Sequence, residues 1–530
     1  MGPLGRATRL FHTVRHLRAE QVIGRIVFRM SRPAPDPSPA PSVRRPAGEM
    51  VIPAARRPSM IGPARMRFLN VERDVAQGWD DPSVAKLWRY NLHYFDDLCA
   101  EGSPSRRDWH VAFMDAWIRG NPPGHGTAWE PYPTSLRIVN WVKWAWLGGS
   151  LPDAAVQSLA VQARWLTRRL ERHLLGNHLF ANAKALVFAA CFFEGPEADR
   201  WFAIGTEILR REIPEQVLPD GGQFERSPMY HALALEDMID LSVALRMRGV
   251  APGDGFRTEV ERRIAPMRRW LAAMCHPDGE VAFFNDCAIG IHPSPAQLNA
   301  YAERAGFGPC RPAADGITVL PDSGFVRLQR GGDVLLMDVG PVGPDYLPGH
   351  AHADTLSIEL SVGGQRVLVN SGTSEYGLGP ERLRQRGTPA HNTAIVAGAD
   401  SSEVWGGFRV ARRARPFGLQ TRQDGNDLVV RCGHDGYRRI RRGLDHVRTV
   451  TLSPRALVVE DEINADESMV ARYHWAPAAG PAAGAVRISC EHASCRTVPT
   501  TWHPEFGVIR SNSCTEAVAS GRRCIVRLDW

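Results

Sequence analysis

The feature that most constrains the fold of this chain is a change of hydrophobic period part-way along it. From about residue 80 to residue 307, apolar side chains recur every three or four positions; beyond Pro321 they recur every two, in short runs broken by turn residues. A period near 3.6 suits an amphipathic helix and a period of two suits a half-buried strand, and no single segment satisfies both. The chain must therefore build a helical body first and an antiparallel β body second.

In the helical part the spacing predicts helices over 135–147, 154–175, 179–193, 197–216, 229–248 and 259–275. They are separated by Gly148-Gly149, Gly195-Pro196, Pro219-Asp220-Gly221-Gly222 and Pro277-Asp278-Gly279. Helix pairs of this length, rich in Trp and Ala on their packing faces, predict an α/α toroid, an incomplete barrel of helix pairs. In the second part the alternation predicts strands over 324–329, 334–339, 356–362, 366–370, 393–396, 427–431, 446–452, 456–462, 470–474 and 486–490. Gly331-Gly332, Gly363-Gly364 and Asp424-Gly425 mark hairpins. Many short strands with few helices predict a β-sandwich. The predicted fold class is thus α+β and multidomain, divided as 1–64 (a basic amphipathic segment and a Pro-rich linker), 65–312 (toroid) and 313–530 (sandwich). A length of 530 residues accommodates such a division.

Residues 1–30 place Leu10, Phe11, Val14, Leu17, Val22, Ile26 and Val27 at helical spacing among Arg9, Arg15, Arg18, Arg25 and Arg29. A basic amphipathic helix of this kind suits an anionic membrane surface or a groove on the main body, and docking of its apolar face on the body is the expectation. The stretch has no continuous apolar run followed by small residues, so no secretion signal is recognisable. No run approaches the ~20 apolar residues of a membrane span. The net charge of +7 is carried almost wholly by arginine, with three lysines in the chain. Guanidinium groups suit carboxylates and phosphates, although genome composition explains the same bias. Ten cysteines without a CxxC pair predict neither a disulfide framework nor a zinc knuckle. No phosphate-binding glycine motif is present, so no nucleotide or redox cofactor is expected, nor is a nucleic-acid partner.

The chemistry-bearing residues gather in a few polar stretches. Gly349-His350-Ala351-His352-Ala353-Asp354 follows a Pro-Gly turn and leads into an alternating run, so His350 and His352 should point the same way at the mouth of a strand. Two imidazoles side by side suit a metal, a general base, or one of each. A second polar turn carries His391 and Asn392. In the helical part, Gly176-Asn177-His178 opens one helix. Residues 220–231 run through Glu225 and Ser227-Pro228 to Tyr230 and His231, and Phe283-Phe284-Asn285-Asp286 reads as a loop packing beneath the site. Trp129 and Arg137 add an aromatic face and a cation. Helix capping accounts for Asn177 and Ser227 equally well, and core packing for the tryptophans.

Taken in order, Asn-His, Ser-Pro-x-Tyr-His and Gly-His-x-His-Ala-Asp resemble the heparinase II/III-like family of polysaccharide lyases. The resemblance runs from about Leu87 to Gly406 and is strongest in GHAHADTLSIEL, VLVNSGTSEYG and AHNTAIVAG. It implies cleavage of a uronic-acid-containing polysaccharide, glycosaminoglycan or alginate-like, by β-elimination that leaves an unsaturated uronate end. Asn177, Tyr230 and His350 then match the catalytic residues. His178, His231, Arg137, Glu225 and Trp129 are candidates for binding substrate, with Arg137 and His231 also placed to tune the phenol of Tyr230. His352 and His391 match ligands of a structural zinc in those relatives that have one. The third ligand there is an aspartate, and this chain has Asn370 in its place. A neutral amide is a poorer zinc ligand, and Asp354 offers a substitute. The family's usual setting is the bacterial periplasm or cell envelope, so location stays open between envelope and cytoplasm. Two other functions fit parts of the pattern: a glycoside hydrolase using two of Glu130, Glu225 and Asp286, and a non-catalytic glycan-binding partner in exopolysaccharide production. Arg382, Arg384, Arg386, Arg409, Arg412 and Arg413 are further candidates to clamp acidic groups of a glycan.

Overall fold

The computed structural model describes residues 3–75, 78–479, 484 and 486–530; the first two positions of the predicted N-terminal helix lie outside them. Helices α1 (Pro3–Val14) and α2 (Ala19–Met30) form the N-terminal segment. After an extended strap and a small hairpin, β1 (Arg65–Phe68) with β2 (Val71–Asp74), come the toroid helices. These are α3 (Lys86–Leu92), α4 (Arg107–Gly120), α5 (Pro131–Trp146), α6 (Asp153–Arg168), α7 (Gly176–Phe192), α8 (Pro196–Gln216), α9 (Pro228–Arg248), α10 (Gly255–Ala273) and α11 (Pro295–Arg304). The helices begin where the chemistry directs. Pro131, Pro196, Pro228 and Pro295 each take the first helical position, where a missing N–H costs nothing. Ser227 and Ser294 cap the N–H three residues on. The interior is aromatic and alanine-rich: Trp117, Trp141, Ala160, Ala163, Ala183, Ala185 and Phe188 are all fully buried.

The β part opens with β3 (Gly316–Leu320), β4 (Phe325–Arg330), β5 (Asp333–Asp338), β6 (Ile358–Val362) and β7 (Gln365–Leu368), an antiparallel sheet in sequence order. Helix α12 (Pro380–Arg386) and short strands β8 (Ala394–Val396), β9 (Val404–Trp405) and β10 (Arg409–Val410) follow. Then come β11 (Pro416–Asp424), β12 (Asp427–His434), β13 (His446–Ser453), β14 (Ala456–Ile463), β15 (Met469–His474), β16 (Arg487–Glu491), β17 (Ala493–Trp502), β18 (Arg510–Ala519) and β19 (Arg523–Asp529). They pair as a six-stranded sheet, β11-β12-β13-β14-β19-β16, and a four-stranded sheet, β17-β18-β15-β8. A disulfide joins Cys490 to Cys495 across the β16–β17 turn, and the other eight cysteines are free.

The predicted fold class, a helical toroid followed by an antiparallel sandwich, is the observed one. The first β sheet is buried on both faces, which explains why β5 reads as a continuous apolar run from Val334 to Met337. Phe325, Val334 and Leu336 pack against Trp270 and Phe284 of the helical body. Val326, Leu328, Leu335 and Met337 face the other way, into the sandwich core with Ile358, Val450, Leu457 and Tyr473. This sheet is therefore the joint that presses the loop before β6 against the toroid.

Two local expectations are corrected. The run predicted as a strand from 356 begins only at Ile358, so His350 and His352 sit in a loop well ahead of the strand rather than at its mouth. The N-terminal segment also docks in the opposite sense from that expected. Gln21 is its buried residue, donating from Nε2 to the Tyr346 carbonyl at 3.1 Å, while Leu10, Phe11, Ile23, Ile26 and Val27 are exposed.

Candidate active site

The site is organised around one carboxylate, Asp286, in the loop between α10 and α11. It is completely buried. Its Oδ2 accepts from His350 Nδ1 at 2.9 Å and from the Arg382 guanidinium at 2.7 Å. Its Oδ1 accepts from His352 Nε2 at 2.8 Å, from Thr373 Oγ1 at 3.4 Å and again from Arg382. Burial alone would push this carboxyl up; the Arg382 charge and the imidazole and guanidinium donors hold it well below the usual carboxylate range. The loop is pinned to both bodies: Asp286 N–H donates to the His350 carbonyl at 2.9 Å. Asn285 Oδ1 accepts from His352 N–H at 3.0 Å, and Asn285 Nδ2 donates to the Arg226 carbonyl at 2.9 Å.

An ionised carboxylate only accepts hydrogen bonds, so His350 carries its proton on Nδ1 and presents the Nε2 lone pair. That nitrogen lies 3.8 Å from Glu225 Oε2. The His350 ring stacks on Tyr230 with centroids 3.9 Å apart and planes 30° apart. Tyr230 stands on the first turn of α9, where Ser227 accepts from its N–H at 3.2 Å. Its hydroxyl meets the Tyr376 hydroxyl at 3.0 Å. Burial and the neighbouring Tyr376 and Asp286 raise the Tyr230 phenol well above its ordinary value.

The toroid contributes the opening turn of α7. Gly176 has φ +53°, and a Cβ there would lie 2.3 Å from Leu347 Cδ2 and 3.8 Å from Glu225 Oε1. The positive φ favours glycine at this turn, which brings α7 beside the Glu225 loop and the loop carrying His350. The next residue, Asn177, is half-buried, and its side-chain amide has no hydrogen-bond partner among the described residues. It does not cap the helix, because Leu175 occupies that position. His178 Nδ1 lies 3.1 Å from Glu171 Oε1. Burial pulls the His178 pKa down, but the Glu171 charge and hydrogen bond outweigh burial and raise it. Glu225 is buried, and its pKa is raised by that burial.

Sequence reasoning placed other residues here that the structure puts elsewhere. His231 is fully buried: the Gln223 N–H donates to its Nδ1 at 3.2 Å, and its Nε2 donates to the Met267 carbonyl at 2.9 Å. Burial lowers its pKa to about 3, so it is a neutral strut between the 219–226 turn and α10 and has no charge with which to tune Tyr230. Arg137 is also fully buried, donating to Gln162 and the His93 carbonyl with its guanidinium 3.9 Å above Trp117. Trp129 is 3% exposed and donates to the Asn121 carbonyl. Both are wall residues that a glycan cannot touch. Most of the arginines proposed as glycan clamps are spent internally: Arg382 on Asp286, Arg386 on the Ala351 and Gly406 carbonyls, Arg412 on Glu403 and Arg413 on Asp345.

Beside Asp286 lies a second cluster. Ligand atoms of His352, Asp354 and His391 all fall within 4.8 Å of one another. His391 Nδ1 faces the Gly387 carbonyl at 2.9 Å and His352 Nε2 faces Asp286, so both of those nitrogens are donors. The remaining two, His352 Nδ1 and His391 Nε2, then face each other at 3.1 Å with a lone pair on each. Two facing lone pairs beside a carboxylate are satisfied by a cation, and this donor set suits zinc. Asn370 is excluded from it: its Oδ1 accepts from the Asn392 N–H at 2.9 Å and its amide lies near Ser357 Oγ. Asp354 is the carboxylate that lies beside the two lone pairs instead.

Two family models match the chain: the heparinase II/III N-terminus over residues 101–304 and the heparinase II/III-like C-terminal part over residues 313–520. The chain belongs to the heparinase II/III-like family. Its relatives include FtsZ-localized protein C of Caulobacter vibrioides, 26% identical over 74% of this chain and 66% of that protein. They also include the heparin-sulfate lyases of Bacteroides stercoris (30% identical over 42% of this chain and 35% of that protein) and Pedobacter heparinus (26%, over 70% and 58%). The chain thus spans less than two thirds of each of these heparinase II/III-like lyases and about two thirds of the Caulobacter protein. Crystal structures share the fold. Heparinase III superposes with a TM-score of 0.66 at 18% identity, covering 85% of this chain and 79% of that one. The heparan sulfate lyase of Pedobacter heparinus superposes at 0.56 and 18% identity, over 88% and 81%.

The residues that sequence reasoning undervalued are Asp286, Arg382 and Tyr376. A lone Asn-Asp in a loop carries no period and no spacing signal. What singles out Asp286 is convergence in space of two histidines and an arginine lying 64, 66 and 96 positions away.

Proposed function

We propose that this chain is a polysaccharide lyase that cleaves a uronic-acid-containing polysaccharide by β-elimination. The observation that carries the reading is the stacked Tyr230–His350 pair, with the imidazole tautomer set by the ionised Asp286. Elimination needs three things. The uronate carboxylate must be offset as negative charge builds beside C5, the C5 proton must be removed, and the departing glycosidic oxygen must be protonated. Asn177, with an uncommitted amide on the first turn of a 17-residue helix, donates to the carboxylate, assisted by the helix N-terminus and by His178, whose protonated form Glu171 favours. His350 Nε2 removes the C5 proton. Tyr230, kept neutral by burial, protonates the leaving oxygen. Glu225, near His350 Nε2, stabilises the imidazolium that forms.

His352, His391 and Asp354 hold a structural zinc in this reading. Bound there, it supplies positive charge that fixes the orientation of His352, and through Asp286 that of His350. Burial counts against the carboxylate pair that the hydrolase alternative needs. Asp286 is sealed and fully engaged, and Glu225 is 2% exposed. The test is a panel of heparan, hyaluronan, chondroitin, alginate and bacterial glucuronans, followed by ultraviolet absorbance. Appearance of the unsaturated-ring absorbance supports the reading. New reducing ends without it indicate hydrolysis.

A further inference from the structure

The N-terminal pair of helices is inside out for a segment that serves only to pack. Apart from Phe28, whose ring lies 4.3 Å from that of His173 with the Arg169 guanidinium 3.6 Å above it, the residues that touch the protein are polar or small. Gln21 donates to the Tyr346 carbonyl, the Arg18 guanidinium lies 3.6 Å above the Tyr346 ring, and Thr13 Oγ1 accepts from Trp405 Nε1 at 3.0 Å. A Cβ on Gly24 would come within 3.1 Å of the His173 backbone. The aliphatic residues face solvent: on α2, Val22 (49% exposed), Ile23 (60%), Ile26 (54%), Val27 (57%) and Met30 (78%) recur at helical spacing. On α1, Leu10, Phe11 and Val14 continue the surface, joined by Leu17 in the turn. Exposed apolar residues this dense mark a contact surface.

The charge around them selects the partner. Residues 3–32 hold seven arginines and one glutamate. Only Arg18 of the seven pairs with a carboxylate, Glu215; Arg6, Arg15, Arg25, Arg29 and Arg32 have no acidic partner among the described residues. Each helix has 12 residues, and among the described residues no helix is long and apolar enough to cross a bilayer, so the pair suits an in-plane position. We propose that α1 and α2 insert their aliphatic face into an anionic lipid surface while the arginines engage the headgroups, so that the protein works as a peripheral membrane protein. The anchor rests on Tyr346, four residues before His350, so the membrane-bound protein holds the loop that carries His350 beside the lipid surface. This inference does not depend on the lyase reading.

The test is flotation of the full chain with vesicles of equal parts phosphatidylcholine and phosphatidylglycerol, against vesicles of phosphatidylcholine alone. Binding to the anionic vesicles, weakened by salt, is expected. The double substitution Ile23→Asp with Ile26→Asp should cut the bound fraction about ten-fold or more while leaving the melting temperature unchanged, because both side chains are exposed. Arg25→Glu with Arg29→Glu should weaken anionic binding in the same direction. Failure to float with anionic vesicles overturns the proposal, as does flotation unaffected by both variants. Self-association that the aspartate variant abolishes, without vesicle binding, would instead assign the surface to a second copy of the chain.

Discussion

At the scale of single residues, one buried carboxylate sets the tautomers of two histidines with different duties. Asp286 directs Nε2 of His350 toward Glu225 and Nδ1 of His352 toward His391. Asp286→Asn removes the charge that balances a fully buried Arg382. Leaving such a guanidinium unpaired costs about 3–5 kcal/mol, so thermal melts should show a large loss of stability as well as of turnover. Tyr230→Phe removes only a hydroxyl bonded to Tyr376, so its melt should be close to that of the parent while turnover falls by about 10²–10⁴-fold. The metal assignment separates two neighbours. Elemental analysis should find zinc in the parent chain and in Asn370→Ala, and loss of it in Asp354→Ala. Zinc lost from the first and kept in the second would contradict the assignment. The histidines were legible because GHAHAD compresses two of them into one loop. Asp286 was legible only as part of a loop and as one of three candidate hydrolase carboxylates, because its meaning lies in contacts across the fold. His231, Arg137 and Trp129 misled for the opposite reason: sequence proximity to a site does not determine which way a side chain turns, and burial turned all three inward.

At the scale of elements, period was most informative where one face was buried and the other wet, although β19 alternates in the same way and was not among the predicted strands. The alternation of β13, buried at every second residue, gave a run that the structure extends by a single position. It was poor where no face is consistently buried. Strand β11 is exposed along nearly its whole length, and β17 mostly so, and neither was predicted. The β13–β14 pair also carries a buried charge group, in which Asp461 accepts from Arg448 Nε at 2.8 Å and from His446 Nε2 at 2.7 Å. Burial would raise this carboxyl, but Arg448 and His446 depress it well below its ordinary value. A depressed folded-state pKa gives stability that is fully present above the unfolded value, about 4, and is lost as pH falls through the folded value. The melting temperature of the parent should therefore drop on acidification below about pH 4. Asp461→Asn should melt lower at neutral pH and lose part of that acid dependence. An unchanged acid profile would show that Asp461 does not carry it.

At the scale of the whole molecule, the reading of two bodies came from the change in period, and the meeting of those bodies did not. The site exists because a sheet buried on both faces presses the loop before β6 against α7, α9 and the Asp286 loop. Gly176 is a point of closest approach in that contact, and Gly176→Ala should lower both stability and turnover, since the added methyl meets Leu347 while the backbone stays at positive φ. The central claim is that His350 and Tyr230 act together to break a glycosidic bond without water. It is tested most directly by mass analysis of the products that the purified chain releases from a polyuronate it cleaves, alongside His350→Ala at matched zinc content. The account predicts a new non-reducing end lighter by one water than a hydrolytic end, and loss of that product in the variant. Products that have gained water, or an unsaturated end formed equally well without His350, would contradict it.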